Sequence, residues 1–143
     1  MIVLIFSLIL SVVCTLITVI HLYWFFGGNW GLQHVIPTKN ALEDFRPPPK
    51  FATLLVALGM FLIGLMYLVK AEIILFEIPN WISKYGYWLI PSIFIIRAIG
   101  EFKYVGFFKK IQQTVFAEAD TKWFTPLSLC IGCLGLVIQL LSN

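Results

Sequence analysis

Charged residues are scarce in this chain of 143 residues: Lys, Arg, Asp and Glu together account for 12% of it, whereas 60% is hydrophobic. An average soluble domain carries about twice that charged fraction, so the composition excludes an ordinary soluble domain and indicates a membrane protein. The net charge of +3 comes from dispersed basic residues, and no basic run is interleaved with aromatic residues. Nucleic acid is therefore not an expected partner.

Sequence motifs of the common enzyme classes are also missing. The chain has no nucleophile elbow, phosphate-binding loop or zinc-protease motif. Its one C-x-x-C pair, Cys130 and Cys133, falls in the middle of an apolar segment, without a second pair to relay electrons. We therefore expect both thiols to be reduced and dispensable. His21, His34 and Glu101 lack the close spacing of metal ligands, so neither a metal nor another cofactor is predicted.

Long apolar runs dominate what is present. Four segments are long enough to cross a bilayer, which takes about 20 apolar residues: 2–26, 51–73, 86–108 and 123–142. The first lacks a basic leader and a small-residue cleavage site, so it is expected to stay as a helix rather than be removed. The prediction is an all-α protein, a four-transmembrane-helix bundle that forms one membrane domain over residues 1–143.

Shorter elements are predicted between these segments. Gly27 and Gly28 end the first helix. A short surface helix is predicted at 38–46 and an amphipathic surface helix at 109–119, with Asp120 or Thr121 as the cap of the last long helix.

The distribution of basic residues predicts the orientation in the membrane. The loops at 27–50 and 102–122 contain seven basic residues, and the connection between the second and third helices contains two, Lys70 and Lys84. Because basic loops stay on the cytoplasmic side, loops 27–50 and 109–122 are predicted to be cytoplasmic and both termini outside. The seven residues are Lys39, Arg46, Lys50, Lys103, Lys109, Lys110 and Lys122.

Residues that are mostly small or polar recur at steps of three and four along each long segment, as in the seams along which membrane helices pack. The predicted seams are Ser7, Ser11, Cys14, Thr18 and His21 in the first helix, Ala57, Met60, Gly64, Tyr67 and Ala71 in the second, Ile93, Arg97, Gly100 and Tyr104 in the third, and Thr125, Ser128, Gly132, Gly135 and Gln139 in the fourth.

Two charged residues in the third segment point to a polar interior. A charge in the middle of a membrane helix costs roughly 2.5–3.5 kcal/mol, so Arg97 and Glu101 should turn inward. Their spacing of four places them on one helical face and predicts an ion pair between them. With the predicted orientation, His21, Tyr104 and Ser128 meet this pair in the cytoplasmic half of the bundle. The alternative is that the pair only locks the helices together.

The chain resembles a domain-of-unknown-function family of small bacterial four-helix integral membrane proteins. The resemblance rests on three spaced motifs: His21-x-x-Trp24-x-x-Gly27-x-x-Trp30, Arg97-x-x-Gly100-Glu101-Phe102-x-x-x-Gly106-x-Phe108, and Phe116-Ala-x-x-Asp120-Thr121-x-x-Phe124-Thr-Pro126. It implies the four-helix fold, a place in the bacterial inner membrane, and the importance of His21, Arg97 and Asp120. It implies no activity.

Three functional hypotheses follow. The first is that the bundle binds a small amphiphile or membrane lipid, with transport of that molecule as an extension of binding. In this hypothesis Arg97 contacts an anionic or carbonyl group, His21 and Tyr104 donate hydrogen bonds, Glu101 holds Arg97, and Ser128 completes the site. The second is a membrane-embedded enzyme acting on a lipid or isoprenoid, in which His21 and Glu101 are the acid and base. The third is a structural role, as a homo-oligomer or as a subunit of a larger membrane complex.

Overall fold

The structure is a computed structural model that describes residues 1–39 and 46–142, and these residues form helices and loops without a strand. The helices are α1 (Ile2–Phe25), α2 (Leu32–Val35), α3 (Lys50–Lys70), α4 (Asn80–Ile99), α5 (Val115–Ala119) and α6 (Thr125–Leu141). A π-helical segment, Asp120–Phe124, joins α5 to α6. The prediction of an all-helical protein is confirmed.

Three helical stretches are long and apolar enough to cross a membrane: Ile2–Phe25, Lys50–Lys70 and the continuous stretch Val115–Leu141. Only 28%, 28% and 39% of their most apolar windows is buried within the protein. A soluble protein rarely exposes so much contiguous apolar surface, so these helices indicate a membrane protein.

Helix packing joins elements that are distant in sequence. α1 packs along α3 and α4 packs along α6, while α1 also contacts α6. The shared core contains Leu10, Tyr67, Tyr87, Ile90, Ile131 and Ile138. We call the end of the molecule at which α1 and α4 finish and α3 and α5 begin the loop end.

Three of the four predicted seams are confirmed as buried faces. In α1 four of the five predicted residues are buried, Ser7, Ser11, Cys14 and Thr18, whereas His21 is half-buried. All five predicted residues are buried in α3 and its C-cap, and all five are buried in α6. The seam predicted for the third helix is wrong, because Ile93 is 53% exposed and the buried side chains of α4 are Tyr87, Ile90, Pro91 and Ala98.

The bounds of the third long helix also differ from the prediction of 86–108. α4 begins directly after Pro79 and ends at Ile99, because Gly100 takes a positive φ of +93° that terminates the helix. Residues 101–108, predicted to be helical, form a loop.

The other long helices lie closer to their predicted bounds. α1 ends one residue before the predicted 26, and α3 ends at Lys70 rather than 73. The fourth helix begins earlier than 123, because α5 and the π-helical segment continue directly into α6.

The two predicted surface helices fare differently. The one at 109–119 is wrong for its first half, since only Val115–Ala119 is helical and Thr114, not Asp120 or Thr121, supplies the cap through a bond to the Ala117 amide. The one at 38–46 lies mostly in residues 40–45, outside the described part of the chain.

Candidate functional site

The carboxylate of Asp120 is the centre of a buried group of polar residues at the loop end, and its residue is 0% exposed. Oδ1 accepts a hydrogen bond from Arg97 Nη2 at 2.8 Å. Oδ2 accepts from the Gly106 backbone N at 2.9 Å, from Lys109 Nζ at 3.0 Å and from Thr125 Oγ1 at 2.9 Å. These four donors offset the cost of burying the charged carboxylate.

Lys109 is the second buried charge, with a side chain only 3% exposed. Besides Asp120, its ammonium donates to Gly106 O at 3.2 Å and to Thr121 Oγ1 at 2.6 Å. Arg97 is different, because its side chain is 33% exposed and its Nη1 has no partner among the described residues. We call Arg97, Gly106, Lys109, Asp120, Thr121 and Thr125 the charged cluster.

The loop after α4 brings two members of the charged cluster to Asp120. It turns back at Gly106, whose φ is +90°, and Phe107 N donates to Ala98 O at 2.9 Å. A Cβ at Gly106 would lie 2.4 Å from the carbonyl oxygen of Ile99, so only glycine fits against the end of the helix. This contact sets the positions of the Gly106 amide and of Lys109.

The π-helical segment explains how Asp120 and Thr125 meet. Thr125, five residues after Asp120, donates its backbone N–H to the Asp120 carbonyl and its hydroxyl to Oδ2 of the same residue. A π-turn inside a longer helix is rare and often marks a functional position.

A cleft of about 620 Å³ lies beside the charged cluster, between the end of α1, the α2 region and the α5–π segment. Three tryptophans and several aliphatic residues form most of its wall. We call it the tryptophan cleft, and it is lined by Ile20, Trp24, Trp30, Gly31, Gln33, His34, Val35, Val115, Glu118, Ala119, Lys122, Trp123 and Phe124.

Two contacts hold the tryptophans of this cleft in place. Trp24 Nε1 donates to the Trp30 carbonyl at 2.8 Å and so ties the loop after α1 back to that helix. Lys122 Nζ lies 5.4 Å from the centre of the Trp123 ring, in cation–π contact.

The α5–π segment connects the tryptophan cleft to the charged cluster. A second cleft of about 400 Å³ is lined by Phe107, Lys109, Gln112, Ala117, Glu118 and Thr121. Glu118 lines both clefts, and Lys109 and Thr121 belong to the charged cluster. The cluster therefore anchors the segment that forms one wall of the tryptophan cleft.

A family model described as "Protein of unknown function (DUF3995)" matches residues 14–135. The chain belongs to the DUF3995 family. Comparison with curated proteins and with solved structures gave no match. The match covers the end of α1, both clefts and the whole charged cluster, and it confirms the membership in a domain-of-unknown-function family that the sequence motifs indicated.

In this DUF3995 protein the predicted pair of Arg97 with Glu101 is wrong. Glu101 follows the end of α4, is exposed, and accepts a hydrogen bond from the Tyr104 backbone N. Arg97 pairs instead with Asp120. The spacing of four implies a shared face only within a continuous helix, and α4 ends between the two residues.

The other predicted site residues bond to their own surroundings. His21 donates from Nδ1 to the Ile17 carbonyl at 2.7 Å, and its ring lies edge-on to Trp24 with centroids 5.0 Å apart. Ser128 donates to Phe124 O at 2.8 Å, and Lys103 Nζ lies 5.0 Å from the centre of the Tyr104 ring. The structure thus brings His21 against the ring of Trp24 and Arg97 to the charged cluster, but it does not bring the five predicted site residues together.

Of the three charged residues in the charged cluster, sequence reasoning assigned only Arg97 to the site and missed Lys109 and Asp120. Lys109 was placed on a surface helix, and Asp120 was assigned a capping role although the family motif singled it out. Gly100 and Gly106 were the available signal, because two glycines six residues apart suit a chain that turns back on a helix end.

Proposed function

We propose that this DUF3995 protein binds a membrane amphiphile in the tryptophan cleft. The observation that carries the proposal is a cleft of about 620 Å³ whose wall is mostly aromatic and aliphatic. Small-molecule sites are typically clefts of about 300–1,000 Å³ with apolar walls and few polar groups. A fatty chain fits such a wall, and the polar residues there, among them His34, Glu118 and Lys122, would face the head of the molecule.

The place of the cleft in the molecule supports a ligand drawn from the membrane. It lies at the ends of two of the helices that are long and apolar enough to cross a bilayer. Tryptophan is enriched where such helices meet the membrane surface, because its ring is apolar and its N–H is polar. We place the cleft at the cytoplasmic surface, since the two basic loops lie at this end.

The residues first considered as ligands receive different roles in this proposal. His21 supports the ring of Trp24 from inside α1 rather than contacting the ligand. The charged cluster, including Arg97, holds the α5–π segment so that Glu118, Lys122 and Trp123 keep their places along the wall. Binding, rather than catalysis, is favoured because His21 and Glu101 have separate partners.

The test is retention of an amphiphile by purified protein. Wild type, Trp123→Ala and Trp81→Ala are purified in a mild detergent, extracted into organic solvent and compared by mass spectrometry per mole of protein. Trp81 is the matched control, because it lies in the first turn of α4 outside the cleft and is 67% exposed, close to the 62% of Trp123.

We expect wild type and Trp81→Ala to retain the same amphiphile, and Trp123→Ala to retain about tenfold less or lower still, since the buried contact of a large apolar side chain contributes roughly 1.5–3 kcal/mol. Equal retention by all three proteins would contradict binding in the cleft. An extract of wild type without any enriched amphiphile would instead favour a structural subunit.

A further inference from the structure

We propose that the tryptophan cleft selects a zwitterionic head group, with a cationic ammonium and an anionic phosphate on one molecule. This inference rests on the proposed function and adds the class of ligand. Its basis is that Glu118 and Lys122 line the same cleft with opposite charges and are not paired with each other.

The lack of pairing is unexpected from the sequence positions. A glutamate four residues before a lysine is the arrangement that pairs best along an α-helix. Among the described residues, however, the ion pairs are those of Asp120 with Arg97 and Lys109, and Lys122 lies over the Trp123 ring. Between Glu118 and Lys122 the chain changes from α-helical to π-helical geometry at Asp120, which alters the direction of Lys122 relative to Glu118.

The cleft therefore presents one negative and one positive group on a largely apolar wall. The Glu118 carboxylate suits an ammonium, and Trp24 and Trp30, which line the same cleft, are residues that attract an ammonium through cation–π interaction. Lys122 suits a phosphate as a compact positive charge. A purely anionic head group would meet Glu118, and a purely cationic one would meet Lys122, so each carries a repulsive contact that a zwitterion avoids.

The probes are amphiphiles with identical bromine-labelled chains and three head groups: phosphocholine, phosphate and trimethylammonium. Bromine quenches tryptophan fluorescence at short range, so the signal reports occupancy of the cleft. Trp81 and Trp88 are first replaced by Phe, which leaves Trp24, Trp30 and Trp123, all in the cleft, as the reporters. The protein is embedded in nanodiscs of unlabelled lipid and titrated with each probe.

We expect the phosphocholine probe to bind with about two- to fivefold higher affinity than either singly charged probe, because exposed charge pairs are of modest strength. Glu118→Gln should shift the preference toward phosphate, and Lys122→Gln should shift it toward trimethylammonium. Lys110→Gln, a basic residue of the preceding loop that does not line the cleft, is the control and should leave the order unchanged.

The two proposals fail in different ways in this experiment. Equal quenching by all three probes would overturn the head-group inference and leave amphiphile binding intact. No saturable quenching by any probe would overturn amphiphile binding itself. If neither Glu118→Gln nor Lys122→Gln changes the order of probe affinities, Glu118 and Lys122 are not the residues that select the head group.

Discussion

At the scale of single residues, Asp120 is the group on which the loop end depends. Its two carboxylate oxygens accept from side chains of three different segments and from one backbone amide. The three charges in the cluster are two cations and one anion, so Asp120 is the group whose loss leaves the most charge uncompensated. Glu101, in contrast, is exposed and bonds only within its own loop.

Substitutions at the charged residues of the cluster should therefore lower the stability of the protein by different amounts, in a defined order. Asp120→Asn leaves two cations without a counter-charge, and breaking a buried pair in this way typically costs about 3–5 kcal/mol. Lys109→Met should cost less, and Arg97→Met less again, because Arg97 is 33% exposed and water screens its charge. Thermal melts of the detergent-solubilised variants measure the order.

Glu101→Gln is the matched control for this series, since it removes a carboxylate from the same end of the molecule. It should change stability by no more than about 0.5 kcal/mol, as is usual for an exposed residue. If it lowers the melting temperature as far as Asp120→Asn does, the pairing of Arg97 with Asp120 is not the one that stabilises the protein.

Arg97 shows how much of the charged cluster could be predicted from the sequence. The cost of placing a charge in an apolar helix correctly indicated that Arg97 would find a buried anionic partner. The identity of that partner was wrong, because Asp120 is 23 residues away and reaches Arg97 only through the packing of α4 against α6. Sequence spacing carries no information on such a contact.

At the scale of elements, the loop between α4 and α5 is the part whose geometry the local sequence controls most strictly. Gly100 and Gly106 pack against each other, both with positive φ, and the loop then leads to Lys109. The 109–119 stretch shows why periodicity alone misled: its apolar spacing fits a helix, but Lys109 is drawn into the charged cluster and only Val115–Ala119 is helical.

Gly106→Ala and Gly59→Ala should accordingly have opposite effects on stability. At Gly106 the new methyl would lie 2.4 Å from Ile99 O and force a left-handed conformation on alanine, which costs roughly 1–2 kcal/mol before the steric clash. At Gly59, within α3, nothing lies within 4 Å of the added methyl, and alanine should stabilise the helix by about 0.5–1 kcal/mol.

The measurement is again the thermal melt. We expect the melting temperature of Gly106→Ala to lie below that of wild type, and that of Gly59→Ala to equal or exceed it. Retention of wild-type stability by Gly106→Ala would mean that the loop does not pack on the end of α4. The same variant should also retain less amphiphile, because the Gly106 amide is one of the four donors to Asp120.

At the scale of the whole molecule, the predicted seams explain why the buried faces of α1, α3 and α6 were predicted and that of α4 was not. Residues that are mostly small or polar repeat along α1, α3 and α6, and the buried faces follow that repeat. In α4 the buried face is formed by large residues such as Tyr87 and Ile90 together with Pro91, which packs on Gly135. A pattern based on small residues cannot find such a face, and the choice of Arg97 to define it led to the wrong side.

The number of membrane crossings is a property of the whole molecule that the apolar helices and the basic loops predict. Three stretches meet the length and apolarity expected of a spanning helix, and α4, with Lys84 and Arg97, is the additional one that the four-helix proposal requires. Four crossings place the two termini on the same side of the membrane, and three place them on opposite sides. The excess of basic residues in loops 27–50 and 102–122 predicts that those loops lie in the cytoplasm. Fusions after Pro37, Glu77, Lys110 and Asn143 to a reporter active only in the cytoplasm, and separately to one active only outside, distinguish the two arrangements.

We expect the cytoplasmic reporter to be active after Pro37 and Lys110, and the external reporter after Glu77 and Asn143. Cytoplasmic activity after Asn143, with Pro37 still cytoplasmic, would show that α4 lies along the surface rather than across the bilayer.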